Sequence, residues 1–277
     1  MKTKKILLNV VLILLGLAYL FPVYIIVVNA FKNRAELYEN ILAFPKDASF
    51  KYFTKAMDKM DFSHAFMNSM IVTCISLVFI VVLTSMCAWM LARNDGKLSK
   101  FIFMMFVATM LIPFQTLMMP LLQVLGFFRD YCGIQLTDTL GGLIFCYIGF
   151  GTGMSVFLFH GFIKSVPVEV EEAAIIDGCS KLGVFFKIVF PMLKPVTMTV
   201  IILNVIWIWN DYLLPSLILY SKKNRTIPLS TANFFGQYTV QWNLAMAGLT
   251  LTIIPVVIFY LCAQKYIIKG IAAGAVK

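Results

Sequence analysis

The residues able to do chemistry in this chain sit in two places. The first is SVPVEVEEAAIIDGCSKLGVFFKIVFPMLKP, residues 165–195. Pro167 suits the first turn of a short helix, and Glu169, Glu171 and Glu172 put negative charge near that helix's positive end. Asp177-Gly178 closes it, because glycine accepts the left-handed geometry that ends helices. Beyond the bend, Leu182, Phe185, Phe186 and Val189 recur at i, i+3, i+4 and i+7. That spacing predicts a second short helix with one apolar face, ended by Pro191, with Pro195 opening the next stretch of chain. Periodicity shows burial on one side and no more. From these residues alone, an ordinary amphipathic linker is an equal reading.

The second place is Trp207-Ile208-Trp209-Asn210-Asp211-Tyr212, inside an apolar run. An acid at the centre of a bilayer costs about 2.5–3.5 kcal/mol, so Asp211 is expected to face a cavity or a partner. Aromatic rings suit the C–H faces of a sugar, and its hydroxyls need acceptors such as carboxylate and amide. Trp207, Asn210 and Asp211, with Asn204 about a turn deeper, are therefore candidate lining for a translocation path. The alternative is a hydrated Asp211 near the surface, with the tryptophans in the interfacial belt.

Other chemistry is missing. No G-x-x-x-x-G-K-[ST] occurs, since Gly96-Lys97 is followed by Leu98 without the glycine-rich lead, so no nucleotide binding by a P-loop is expected. Neither H-E-x-x-H nor G-x-S-x-G is present, and His64 and His160 stand far apart. The cysteines at 74, 87, 132, 146, 179 and 262 are scattered without a C-x-x-C and read as small hydrophobes. We expect no enzyme, no metal and no cofactor.

The elements that must position these residues are set by composition. Of 277 residues, 61% are hydrophobic and 13% charged, with a mean hydropathy of +0.89. Soluble domains are roughly half apolar and a quarter charged, so this is a polytopic membrane protein. The net charge of +10 suits loops held against an anionic leaflet rather than nucleic acid. Six spans are expected, at about 6–31, 66–92, 101–125, 140–163, 196–219 and 244–266, within one transmembrane domain over 1–277. The first is too long for a signal-peptide core. Pro113 and Pro120 predict a broken or kinked third span. Gly149 and Gly153 form a G-x-x-x-G in the fourth, either a close helix approach or chance. Six spans put both termini on one side. The short loop 93–100 holds three basic residues against Arg129 alone in 126–139, which places the termini and residues 165–195 on the inner side.

Glu172-Ala173-Ala174, Asp177-Gly178, Phe185, Ile188 and Pro191 resemble the EAA loop of ABC importer permeases. The similarity extends to Asn68-Ser69, Ala88 through Arg93, Pro113, Pro120, Trp209-Asn210-Asp211 and the ending Lys269-Gly270 with Gly274-Ala275-Val276-Lys277. Together these look like the second permease subunit of maltose- and multiple-sugar-type importers. The resemblance implies an all-α, type I importer permease with a cytoplasmic coupling helix, in a bacterial cell membrane. It implies four kinds of partner: a second homologous permease, two cytoplasmic ABC ATPase subunits, an extracytoplasmic sugar-binding protein and lipid. It places Glu172, Ala173, Ala174, Asp177 and Gly178 in the ATPase cleft, the outer loop 220–243 toward the binding protein and the C-terminal tail near the ATPase. In the maltose relatives the visible sugar contacts belong mainly to the companion permease. Rival readings are a permease for another solute such as glycerol phosphate, or an ATPase-independent secondary transporter. The latter commonly shows several intramembrane ionisable groups, where this chain offers Asp211.

Overall fold

The computed structural model describes residues 2–236 and 240–275, with side chains over 4–236 and 240–265. The chain is helical, and among the described residues only an isolated bridge, Phe235 to Val240, has strand character. In order the helices are α1 (Lys2–Asn29), α2 (Arg34–Glu39), α3 (Lys51–Met60), α4 (Phe62–Arg93), α5 (Lys97–Thr109), α6 (Phe114–Cys132), α7 (Leu140–Ile163) and α8 (Val168–Ile176). Then come α9 (Lys181–Met192), α10 (Lys194–Asn210), α11 (Leu213–Ile218), α12 (Ile227–Ala232) and α13 (Trp242–Ala275). Among the described residues four helices are long and apolar enough to cross a membrane, and the count reaches six if two bent pairs are each one span.

The bends fall where the sequence withdraws backbone donors. At Met110–Pro113 the chain turns through 107° between α5 and α6. Pro113 starts α6 in an extended conformation, with ψ 133°. With 13 residues, α5 is about 20 Å long, short of a hydrocarbon core of about 30 Å. The third span is thus two pieces, while Pro120 is carried inside α6. The second bend, 77°, separates α9 from α10 at Leu193. The fifth span also stops early, because Asp211 leaves the helix at ψ 125° and α11 begins two residues later.

The described residues form two compact units, one made of residues up to 65 with 227–257, the other of 66–226 with those from 258. In the first, α3 buries Tyr52, Ala56 and Met60, spaced by four, and packs on α12. The second is built on α7, which buries Leu143, Tyr147, Val156, Phe159 and Ile163. Gly153 lets α5 come close. A Cβ there would lie 2.4 Å from Thr109 Oγ1 and 3.0 Å from the Phe106 carbonyl oxygen. Gly151 makes the equivalent approach to Ile80 of α4, whereas Gly149 faces open space. The G-x-x-x-G reading therefore holds for one of its two glycines.

Asp138 ties the loop after α11 to the start of α7. Its carboxylate accepts from the backbone N–H of Tyr220 at 3.0 Å and of Ser221 at 2.8 Å, and from the Ser221 hydroxyl. Its own N–H donates to the Ile218 carbonyl at 2.8 Å. From α4, Asn68 donates to the carbonyls of Lys223 and Arg225 at 2.8 and 3.0 Å.

Candidate functional site

Helix α8 begins after Pro167, with Glu169 and Glu171 in its first turn. Gly178 ends it at φ +85°. The Cys179 N–H reaches the Ala174 carbonyl at 2.9 Å, and the Gly178 N–H reaches that of Ile175 at 3.0 Å. This is the double hydrogen bond that terminates a helix through a left-handed residue. Ser180 then caps α9, its hydroxyl accepting from the Gly183 N–H at 3.2 Å.

Pro191 does not end α9 as the sequence suggests, for the helix runs on to Met192. Residues Phe185–Val189 form a π turn, and the Phe190 N–H bonds back to the Phe185 carbonyl. The wider turn accommodates proline's missing donor and its ring. Val184, Phe185, Val189 and Leu193 are inside, while Leu182 and Phe186 are exposed. Of the four residues of the expected apolar face, Phe185 and Val189 are buried within the chain and Leu182 and Phe186 lie open at its surface.

Of the five positions expected to meet a partner, Glu172, Ala173, Asp177 and Gly178 are exposed. Ala174 is turned inward, 7% exposed. Beside the exposed four lie Ile175 and the almost bare Ile176, 85% exposed. The exposed part of α8 therefore combines two acidic side chains with small and large apolar ones.

One acid behaves differently: the sequence places Glu171 in the first turn but does not show its burial or its partners. Glu171 is 5% exposed. One carboxylate oxygen accepts from Arg93 Nε at 3.0 Å and Nη2 at 2.7 Å, and the other from Trp89 Nε1 at 2.9 Å. Arg93 Nη2 also donates to the Val166 carbonyl at 2.9 Å. The Trp89 ring packs on Phe185, centroids 5.4 Å apart. The sequence signal was spacing, because Glu171 and Ala174 share one face at i, i+3.

The four expected path residues do not form one surface. Asn204 is fully buried and links α10 to α7, donating to Ser155 Oγ at 3.2 Å and to the Val200 carbonyl at 2.9 Å. Asn210 is exposed and bonds back to the Ile206 carbonyl at 2.7 Å. Trp207 and Asp211 do meet, in a cleft of about 460 Å³ with Gln115, Phe114 and Phe150. Asp211 accepts from the Tyr147 hydroxyl at 3.0 Å and from the Leu213 N–H at 2.9 Å, and Tyr147 stands edge-on to Trp207. A neighbouring cleft of about 660 Å³ is lined by Trp207, Asn204 and Gly149 among others and is mostly apolar. An aromatic face beside a carboxylate and an exposed amide can hold a polyol ring; there is no nucleophile–base pair in this cleft. Among the described residues no three His, Cys, Asp or Glu converge as metal ligands. His160 lies flat on Phe103 at 3.9 Å, and His64 pairs with Asp61 at 2.8 Å. The C-terminal tail's side chains, from 266 on, fall outside the described residues.

Residues 80–273 match the family described as binding-protein-dependent transport system inner membrane component. The probable starch degradation products transport system permease protein AmyC of Thermoanaerobacterium thermosulfurigenes is 45% identical over 99% of this chain and 97% of its own. The melibiose/raffinose/stachyose import permease protein MelC of Bacillus subtilis (strain 168) is 36% identical, over 94% and 92%. Among solved structures, a bacterial ABC transporter involved in the import of the acidic polysaccharide alginate superposes with a TM-score of 0.82 at 21% identity, covering 96% of each chain. At that identity the likeness speaks for the fold.

Proposed function

The chain belongs to the family of binding-protein-dependent transport system inner membrane components, and we propose that residues 165–195 are its coupling element to an ATPase. The protein is a multi-pass membrane permease subunit of an ABC sugar importer, of the oligosaccharide type. Its whole length serves as one transmembrane domain, with both termini and α8–α9 on the inner side. It hydrolyses nothing itself. Two ABC ATPase subunits bind beneath it, a second homologous permease pairs with it, and an extracytoplasmic sugar-binding protein delivers the solute. The loop 220–243 faces that protein.

One observation carries the coupling reading: α8 presents Glu172, Ala173, Asp177 and Gly178 beside bare Ile175 and Ile176. Small Ala173 permits close approach, and Glu172 and Asp177 offer charge to a basic side chain. Ala174 supports this face from behind. Nucleotide-driven closure of the ATPases then pushes on a short rigid helix, and the spans move as bodies. On the membrane side, Asp211 and Trp207 line the sugar's path, and Asn204 and Asn210 hold and flank the helix that carries them.

The test is uptake by the reconstituted complex with a panel of labelled oligosaccharides and glycerol phosphate. ATP-dependent entry of an oligosaccharide is expected. Entry without ATP hydrolysis, or of glycerol phosphate alone, would overturn the reading.

A further inference from the structure

We propose that Arg93, Glu171 and Trp89 form a buried joint that makes α8 and the inner end of α4 move as one body. This rests on the coupling reading above. In sequence the α8–α9 pair is flanked by α7 and α10, so those two helices are the obvious receivers of any push. Helix α4 lies 78 residues away from it along the chain at the Arg93–Glu171 pair, yet it is tied to α8 by three hydrogen bonds to one carboxylate.

Three features make this a joint rather than a surface ion pair. The Glu171 side chain is 7% exposed and that of Arg93 18%, so water does not compete and salt screens little. Both carboxylate oxygens are engaged, one by two guanidinium nitrogens, which fixes direction as well as distance. Arg93 also holds the Val166 carbonyl in the link leading into α8, and Trp89 packs on Phe185 at the π turn of α9. The backbones of α4 and α8 barely approach one another, so these long side chains carry the connection. Breaking one partner strands a buried charge, and the contact resists being pulled apart when α8 is displaced. Glu171 and Arg93 are positioning residues: they bind neither nucleotide nor sugar, and pass the motion of α8 to α4.

The experiment uses the whole importer in lipid nanodiscs, with the six native cysteines replaced. Spin labels go on Asn94, whose N–H still bonds to Met90 of α4, and on the exposed Ile176. In the otherwise native protein the 94–176 distance is expected to be the same with and without ATP. In Glu171→Gln it broadens, and sugar carried per ATP hydrolysed falls at least fivefold while hydrolysis continues. If Glu171→Gln fails to assemble, Trp89→Phe serves, since it keeps the ring on Phe185 and removes one donor; a twofold to threefold fall is expected. A merely structural pair would lower the amount of complex and leave the ratio untouched. An Asn94–Ile176 distance that shifts by several ångströms with ATP, or a wild-type ratio in the assembled variant, overturns the joint. Failure of the parent reading looks different: a photo-crosslinker at Ala173 then catches no ATPase subunit, which overturns both.

Discussion

At the scale of single residues, backbone conformation and hydrogen-bond direction decide what can change. Gly178 sits at φ +85° with open space where a Cβ would go, so a substitution is penalised by conformation and not by a clash. Gly178→Ala should cost about 1–2 kcal/mol locally and weaken coupling, whereas Gly178→Asn is milder. Gly178→Pro cannot reach that φ and deletes the bond to Ile175. It should abolish uptake in protein that still inserts, read as labelled-sugar entry beside membrane abundance. Asp138 offers a second case. Burial alone would raise its carboxyl, but hydrogen bonds from Ser221 and Tyr220 outweigh it and hold the group below the usual carboxylate range. A depressed folded value means the clamp is intact at neutral pH. It is lost as pH falls below about 3.9 through that value. Amide exchange at Tyr220 and Ser221, corrected for intrinsic rate, should therefore accelerate in acid. It should be fast already at neutral pH in Asp138→Ala, and slower again in Asp138→Asn, which tolerates the φ of +57° at this position. Neither the Asp138 clamp nor the Glu171 joint was legible in the sequence. Each depends on partners about 80 positions away, and an acid in a helix's first turn is adequately explained by the dipole alone.

Elements were far more readable, because their determinants are local. The turn at Asp177-Gly178 and the proline-marked break of the third span both follow from residues within one or two turns. What was not local was misread. Pro191 looked like a stop, but it follows a widened turn and the helix continues to Met192. The paired glycines of α7 looked equivalent, yet only Gly153 has a neighbour, a fact set by where α5 lies. Gly153→Val should force α5 away from α7 and cost about 1–3 kcal/mol as overpacking, seen as a lowered melting temperature of the purified complex. Gly149→Val, with nothing within 4 Å, should leave it unchanged.

For the molecule as a whole, the proposed function has the driving energy supplied by a partner. The chain carries no P-loop motif; if an ATPase partner drives transport as proposed, vesicles holding both permeases and the binding protein without ATPase subunits should show no sugar accumulation, and adding the ATPase subunits should restore it. The apolar composition that announces a membrane protein also explains why the α8–α9 pair stands out. With only 13% of residues charged, three glutamates and an aspartate within nine positions stand apart from the apolar spans. The most direct measurement is photo-crosslinking from a reactive side chain placed at Ala173 in intact membranes, followed by identification of the adduct. An adduct with the ATP-hydrolysing subunit is expected, formed in greater yield when ATP is bound. Adducts confined to extracytoplasmic proteins would contradict the coupling role of α8.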